Sequence, residues 1–71
     1  MAQLNHEQYD LLERAIVEKR RIAVMRRGTE YVVVPSRLAV DRGREAIQAR
    51  HPSGTMMTFY IDEVQSIEVV K

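Results

Sequence analysis

Near residue 20 the spacing of apolar residues changes period, from about 3.6 to 2, and it does not change back before the C-terminal end. A chain patterned this way builds one helix and then a run of strands. The helix carries three agreeing start signals: Asn5 as N-cap, Gln8 at N3 to complete a capping-box pair, and Leu4 placed to pack on Tyr9 as a hydrophobic staple. Tyr9, Leu12 and Ala15/Ile16 then recur at helical spacing, with Leu11 beside them, while Asp10, Glu13, Arg14 and Glu18 fall mostly elsewhere. The pattern predicts a helix over about 6–19, ending near Lys19-Arg20, where basic side chains suit the negative end of the helix dipole.

The strands are punctuated by turn residues. Ile22–Val24 and the β-branched run Glu30–Val34 flank Arg27-Gly28-Thr29, which reads as a hairpin. Pro35 is expected to stop the second strand or confine it to an edge, and Leu38 and Val40 alternate again before a turn at Asp41-Arg42-Gly43. Ala46–Arg50 gives the third strand, and His51-Pro52-Ser53-Gly54 is the clearest loop. In Thr55–Ile61, Met57, Phe59 and Ile61 share one face and Met56, Thr58 and Tyr60 the other; Asp62-Glu63 turns the chain into Val64–Val70.

The whole sequence has 71 residues, enough for a single domain over 1–71. One helix plus five short strands in that length predicts an α+β, mainly β fold: an N-terminal helix, then a five-stranded, strongly bent antiparallel sheet over about 21–70 that closes into an SH3-like or Sm-like barrel. Closure removes strand edges, and the helix plugs an open end. A hydrophobic fraction of 45% argues against disorder. With no Cys there is neither a disulfide framework nor a thiolate site, which fits a cytoplasmic setting and favours self-association as a supplement to a small core. No apolar run approaches the roughly 20 residues that span a bilayer, and Met1–Asp10 lacks the pattern of a signal peptide, so no membrane association is expected.

Net charge is +1, but its distribution is uneven. Residues 1–18 carry four acids against Arg14, and residues 51–71 three acids against Lys71, whereas 19–50 hold nine bases, eight of them Arg, against Glu30, Asp41 and Glu45, a local charge of +6. The planar guanidinium fork suits phosphate or carboxylate. The candidate site is therefore a basic stripe of Arg26, Arg27, Arg37, Arg42, Arg44 and Arg50 sharing one barrel surface, with Tyr31 and Tyr60, placed opposite the main apolar rows, as stacking rings for single-stranded nucleic acid or a nucleotide. The competing reading is a solvated face paired with the three local acids. Four such contacts to a single strand would give a log-log salt slope of about −3.

Other chemistry is not signalled. His6 and His51 belong to no spaced ligand set, so no metal is expected, and Asp62-Glu63 reads as a turn before a catalytic pair. There is no nucleophile elbow, phosphate-cradling loop or dinucleotide fingerprint, so neither catalysis nor a cofactor is expected. Met56-Met57 and Val32-Val33-Val34 put apolar side chains on both strand faces, which suggests a subunit interface or helix contact.

Leu12, Ala15 and Ile16, then V-V-P-S-R-L at Val33–Leu38, G-R-x-x-I-x-A at Gly43–Ala49 and F-Y-I-D-E-V at Phe59–Val64 resemble the WYL domain, from about Tyr9 to Val69. That resemblance implies an Sm-like barrel serving as a ligand-sensing or nucleic-acid-binding part of bacterial transcription regulators. It also implies assembly by pairing the fourth strand of one protomer with the fifth of the next, close to Met56, Thr58 and Tyr60. The tripeptide that names the family falls on Glu45-Ala46-Ile47, and two arginines of its ligand pattern fall on Glu63 and near Met57, so barrel-building residues are kept and ligand-binding ones are lost. Y-D-x-L-E-x-A at Tyr9–Ala15 and I-D-E-V-x-S-I at Ile61–Ile67 are also similar to the Rho-binding antiterminator family, which docks on a protein. The expected function is a non-enzymatic bacterial regulatory module that self-associates and binds an anionic ligand or single-stranded nucleic acid through its basic surface. The alternative is a protein-interaction module that docks on a larger partner such as Rho through Glu7, Asp10 and Glu13.

Overall fold

The computed structural model describes residues 4–70, so the first three residues and Lys71 of the expected 1–71 domain lie outside it. The chain runs α1 (His6–Glu18), β1 (Ile22–Arg26), β2 (Thr29–Asp41), β3 (Arg44–Arg50), β4 (Met56–Tyr60), a 3₁₀ turn (Ile61–Glu63) and β5 (Val64–Val69). The strands form one antiparallel five-stranded sheet of order β4-β3-β2-β1-β5. No helix among the described residues is long and apolar enough to cross a membrane.

Local signals fix the ends of α1. The Asn5 side chain accepts from the Gln8 backbone N–H at 2.9 Å, and the Asn5 N–H donates to the Gln8 side chain at 3.2 Å, a complete capping box. Leu4 is buried and Tyr9 packs on the same core. At the far end Lys19 adopts a left-handed conformation (φ 56), so the Arg20 N–H reaches the Ala15 carbonyl at 2.9 Å and the Lys19 N–H that of Ile16 at 3.4 Å. That is a Schellman ending with a lysine where glycine is usual, and it stops the helix one residue before the expected Lys19.

Both short hairpins close through an Arg-Gly pair with two positive φ angles, Arg27 (50) and Gly28 (78), then Arg42 (54) and Gly43 (76). This is the backbone of a type I′ turn, whose twist matches that of the flanking strands.

Pro35 does not stop its strand. β2 continues through it to Asp41, with an irregularity between Pro35 and Arg37. β1 pairs with β2 only as far as Val33, and β3 takes over from Val34, so the missing N–H falls at a bulge where the partner strand changes. A straight strand of that length would reach about 40 Å, whereas the longest dimension of the molecule is 28 Å. Bending is thus unavoidable, and both ends of β2 come back to one side.

The curl wraps a single core of Leu12 and Ala15 from α1 with Ile22, Val24, Val33, Ile47, Ala49, Phe59, Ile61, Val64 and Ile67. The expected helix and bent antiparallel sheet are present, but the cylinder is not sealed. β4 and β5 remain the two edges of the sheet, separated by the 3₁₀ turn, with Ile61 and Val64 buried at that seam. The apolar face of β4 is as expected: Phe59 is buried and Met57 half-buried, while Met56 and Thr58 are exposed. Tyr31 is not. It shares the face of buried Val33 and Pro35 and packs on Phe59 with ring centroids 5.4 Å apart, so it belongs to the core rim and not to the outer face.

Candidate functional site

The bend in β2 gathers the two hairpin turns and the 3₁₀ turn at one end of the molecule. Glu63 marks this turn end, accepting from Arg27 at 3.4 Å and from Arg44 at 3.3 Å. Arg44 also grips Asp62 through two bonds, Nε at 3.0 Å and Nη2 at 2.6 Å, and its guanidinium lies 3.9 Å from the centre of the Tyr60 ring. Tyr60 in turn donates its hydroxyl to Asp41 at 2.5 Å. The hydrogen bond from Arg44 holds the Asp62 carboxyl below the usual carboxylate range, and the bond to Asp41 pushes the Tyr60 hydroxyl upward. Arg26 covers the Tyr31 and Phe59 rings at 4.9 and 5.0 Å and donates to the Tyr31 hydroxyl at 3.3 Å.

Five of the eight sequence candidates, Arg26, Arg27, Arg44, Tyr31 and Tyr60, therefore meet at the turn end, already occupied by carboxylates and by one another. Arg42 lies at the same end without such a partner among the described residues, and Arg37 and Arg50 stand apart. Arg37 donates to Gln48 at 2.7 Å on the exposed surface of β2 and β3. Arg42 projects from its turn with no carboxylate within 4 Å among the described residues, and Arg50 ends β3, six residues and about 20 Å from Arg44. The single basic stripe expected from the sequence is thus divided between opposite ends, because the fold reads β3 lengthwise.

The end reached by Arg50 has the opposite character. Two adjoining clefts, of about 450 and 390 Å³, share Val34 and Arg50. The first is lined by Ile16, Lys19, Val34, Pro35, Ser36 and Arg50, the second by Arg21, Val32, Val33, Val34, Arg50, His51, Pro52 and Gly54. Lys19, Arg21 and Arg50 are exposed, none has a carboxylate within 4 Å among the described residues, and no acid lines either cleft. His51 accepts the Ser53 backbone N–H at Nδ1 (3.1 Å), which assigns the proton of the neutral ring to Nε2. The outer valines of the Val32-Val33-Val34 run form the floor of this basic end. Such a site can hold an anion by charge and guanidinium hydrogen bonds over an aliphatic surface.

Of these lining residues only Arg50 was a candidate on sequence grounds. Lys19 and Arg21 contributed to the local charge but sit outside any motif, and what brings them to Arg50 is the packing of the helix end against the middle of β2. A third groove, between α1 and β5, is lined by Glu7, Asp10, Leu11, Arg14, Ala15, Glu18, Arg20 and Val69. Arg20 there is paired with Glu18 at 2.5 Å, so the groove is acidic on balance. Comparison of the chain with protein-family models, with curated proteins and with solved structures gives no match.

Proposed function

We propose that this chain is a non-enzymatic regulatory binding module, of the kind its WYL-like residue pattern implies, that takes an anionic ligand at its basic end. One observation carries the reading: three cations without acid partners among the described residues line two clefts that contain no carboxylate, while Arg27 and Arg44 at the turn end are bonded to Asp62 and Glu63. Retaining unpaired like charges side by side costs stability, and an incoming anion offsets that cost. Single-stranded nucleic acid qualifies as such a ligand through its phosphates. With three contacts its affinity would fall with salt at a log-log slope of about −2. The exposed edges of β4 and β5, with Met56 beside one of them at 53% exposure, support self-association by strand pairing as part of the same proposal.

Fluorescence anisotropy with a labelled single-stranded oligonucleotide tests this at low salt. Binding that weakens as salt rises, and that is lost in Arg50→Glu while kept in Arg37→Glu, is the expected result. Absence of binding even at low salt removes single-stranded nucleic acid as the ligand, and absence of binding to small carboxylates as well removes the proposal.

The acidic groove between α1 and β5 favours a second reading, docking of a basic protein surface on Glu7 and Asp10, with Glu18 in place of the expected Glu13, which does not line the groove, and without any anion bound. Reversal of those charges abolishes such docking and leaves oligonucleotide binding intact, so the two readings separate in one set of variants.

A further inference from the structure

We infer that the preferred ligand of the basic end is an oxyanion carrying a flexible aliphatic chain, taken from solution as a single molecule, an inference that rests on the anion-binding reading and narrows it. The chain holds three Tyr, one Phe and no Trp, and all four rings are placed elsewhere. Tyr9 packs on the core with its hydroxyl on Glu45, Tyr31 and Phe59 stack under Arg26, and Tyr60 lies under Arg44. No Tyr or Phe lines either cleft at the basic end, and the one aromatic ring there is the His51 imidazole of the second cleft, whose Nδ1 is held by the Ser53 backbone N–H. A base entering the first cleft meets no aromatic ring and one entering the second meets only the small His51 imidazole, whereas stacking on large rings is the main sequence-independent reward for single-strand binding beyond charge.

Most of the apolar surface the clefts offer is saturated. Ile16, Val34 and Pro35 line the first, and Val32, Val33, Val34 and Pro52 the second, below a rim of Lys19, Arg21 and Arg50. Ligand pockets span roughly 300–1,000 Å³, and both clefts fall in that range. Because they adjoin at Val34 and Arg50, an oxyanion held by Arg50 can lay its hydrocarbon along the valine floor on either side. Aliphatic surface rewards each buried methylene and does not discriminate its partners by hydrogen bonding, so chain length is the property the site reads.

The experiment is a homologous series of straight-chain carboxylates, butanoate to decanoate, below their micelle-forming concentrations, titrated into the full chain by calorimetry and methyl NMR. A fully buried methylene is worth about fourfold in affinity and a half-buried one about twofold. The expected result is a gain of two- to fourfold per added methylene, shifts at the Ile16, Val32 and Val34 methyls, and at least a tenfold loss in Arg50→Gln. Decyltrimethylammonium and decanol, which share the chain but not the charge, should bind at least tenfold more weakly than decanoate. Affinity that does not change with chain length overturns the inference and leaves anion binding standing if the oligonucleotide still binds. Equal binding of the cationic amphiphile, or binding only to phosphatidylglycerol vesicles, also overturns it. Failure of carboxylates and oligonucleotide alike removes the anion-binding reading itself.

Discussion

At the turn end four arginines stand among Asp41, Asp62 and Glu63, and three of the four have a bonded partner; at the basic end three cations stand with none among the described residues. The turn end ties two hairpin turns to the 3₁₀ turn and spends its charge inside the fold. The basic end leaves its charge facing solvent above an aliphatic floor. Counting charges along the chain cannot tell these regions apart, since both draw on the same basic segment; what separates them is which carboxylates the bend in β2 brings within reach.

The strongest way to break the comparison acts through the core. Phe59→Ala removes the ring that supports Tyr31 and Arg26, and a buried Phe→Ala change costs about 3–5 kcal/mol, a large share of the roughly 4–11 kcal/mol expected for a domain of this length. Urea unfolding should show that loss, together with the collapse of the turn end.

Charge reversal at the two ends should then give opposite outcomes. Arg50→Glu is expected to weaken oligonucleotide binding by at least tenfold, about 1.4 kcal/mol, with little change in Tm. Arg44→Glu should do the reverse, lowering Tm through like-charge contact with Asp62 and Glu63 while binding persists. Identical behaviour of the two variants in both assays would erase the distinction drawn here.

A smaller effect sharpens it. Lys19 holds a left-handed conformation that costs a non-glycine residue about 1–2 kcal/mol, yet its side chain lines the first cleft. Lys19→Gly should raise stability by about 1 kcal/mol and reduce the magnitude of the salt slope by about 0.7. A more stable protein that binds less well is the signature of a position kept for its charge.

The smallest effect is the pH response, and it belongs to the turn end. Asp62 has its carboxyl lowered in the fold by Arg44, so its contribution is present above the ordinary value of 3.8 and is lost as pH falls through the depressed folded value. The Tyr60 hydroxyl is raised by its bond to Asp41, so its contribution is present below 10.0 and is lost as pH rises through the elevated folded value. Asp62→Asn should flatten the acid limb of a Tm-against-pH curve, and Tyr60→Phe the alkaline limb.

What could be read from the sequence was local. The capping box at Asn5 and Gln8, both Arg-Gly turns and the alternation of β4 rest on contacts within a few residues, where spacing decides the outcome. Pro35 misled because a proline is compatible with a long strand when its missing N–H falls where one partner hands over to another, and the partner change is invisible in the pattern. Tyr31 was misplaced for a related reason: in Tyr31-Val32-Val33-Val34 every residue is apolar enough for either face, so alternation fixes nothing. The division of the arginines between two ends, and the arrival of Lys19 and Arg21 beside Arg50, depend on how far β2 bends and where α1 lands, both set by the whole core.

The account stands most directly on where an anion lands. Backbone amide NMR of the full chain, titrated with a short single-stranded oligonucleotide at low salt, reads this without any substitution. Shifts concentrated at Lys19, Arg21, Val34, Arg50 and His51 are predicted, with the turn end unmoved. Shifts centred on Arg26, Arg27, Arg44 and Tyr60 would contradict it.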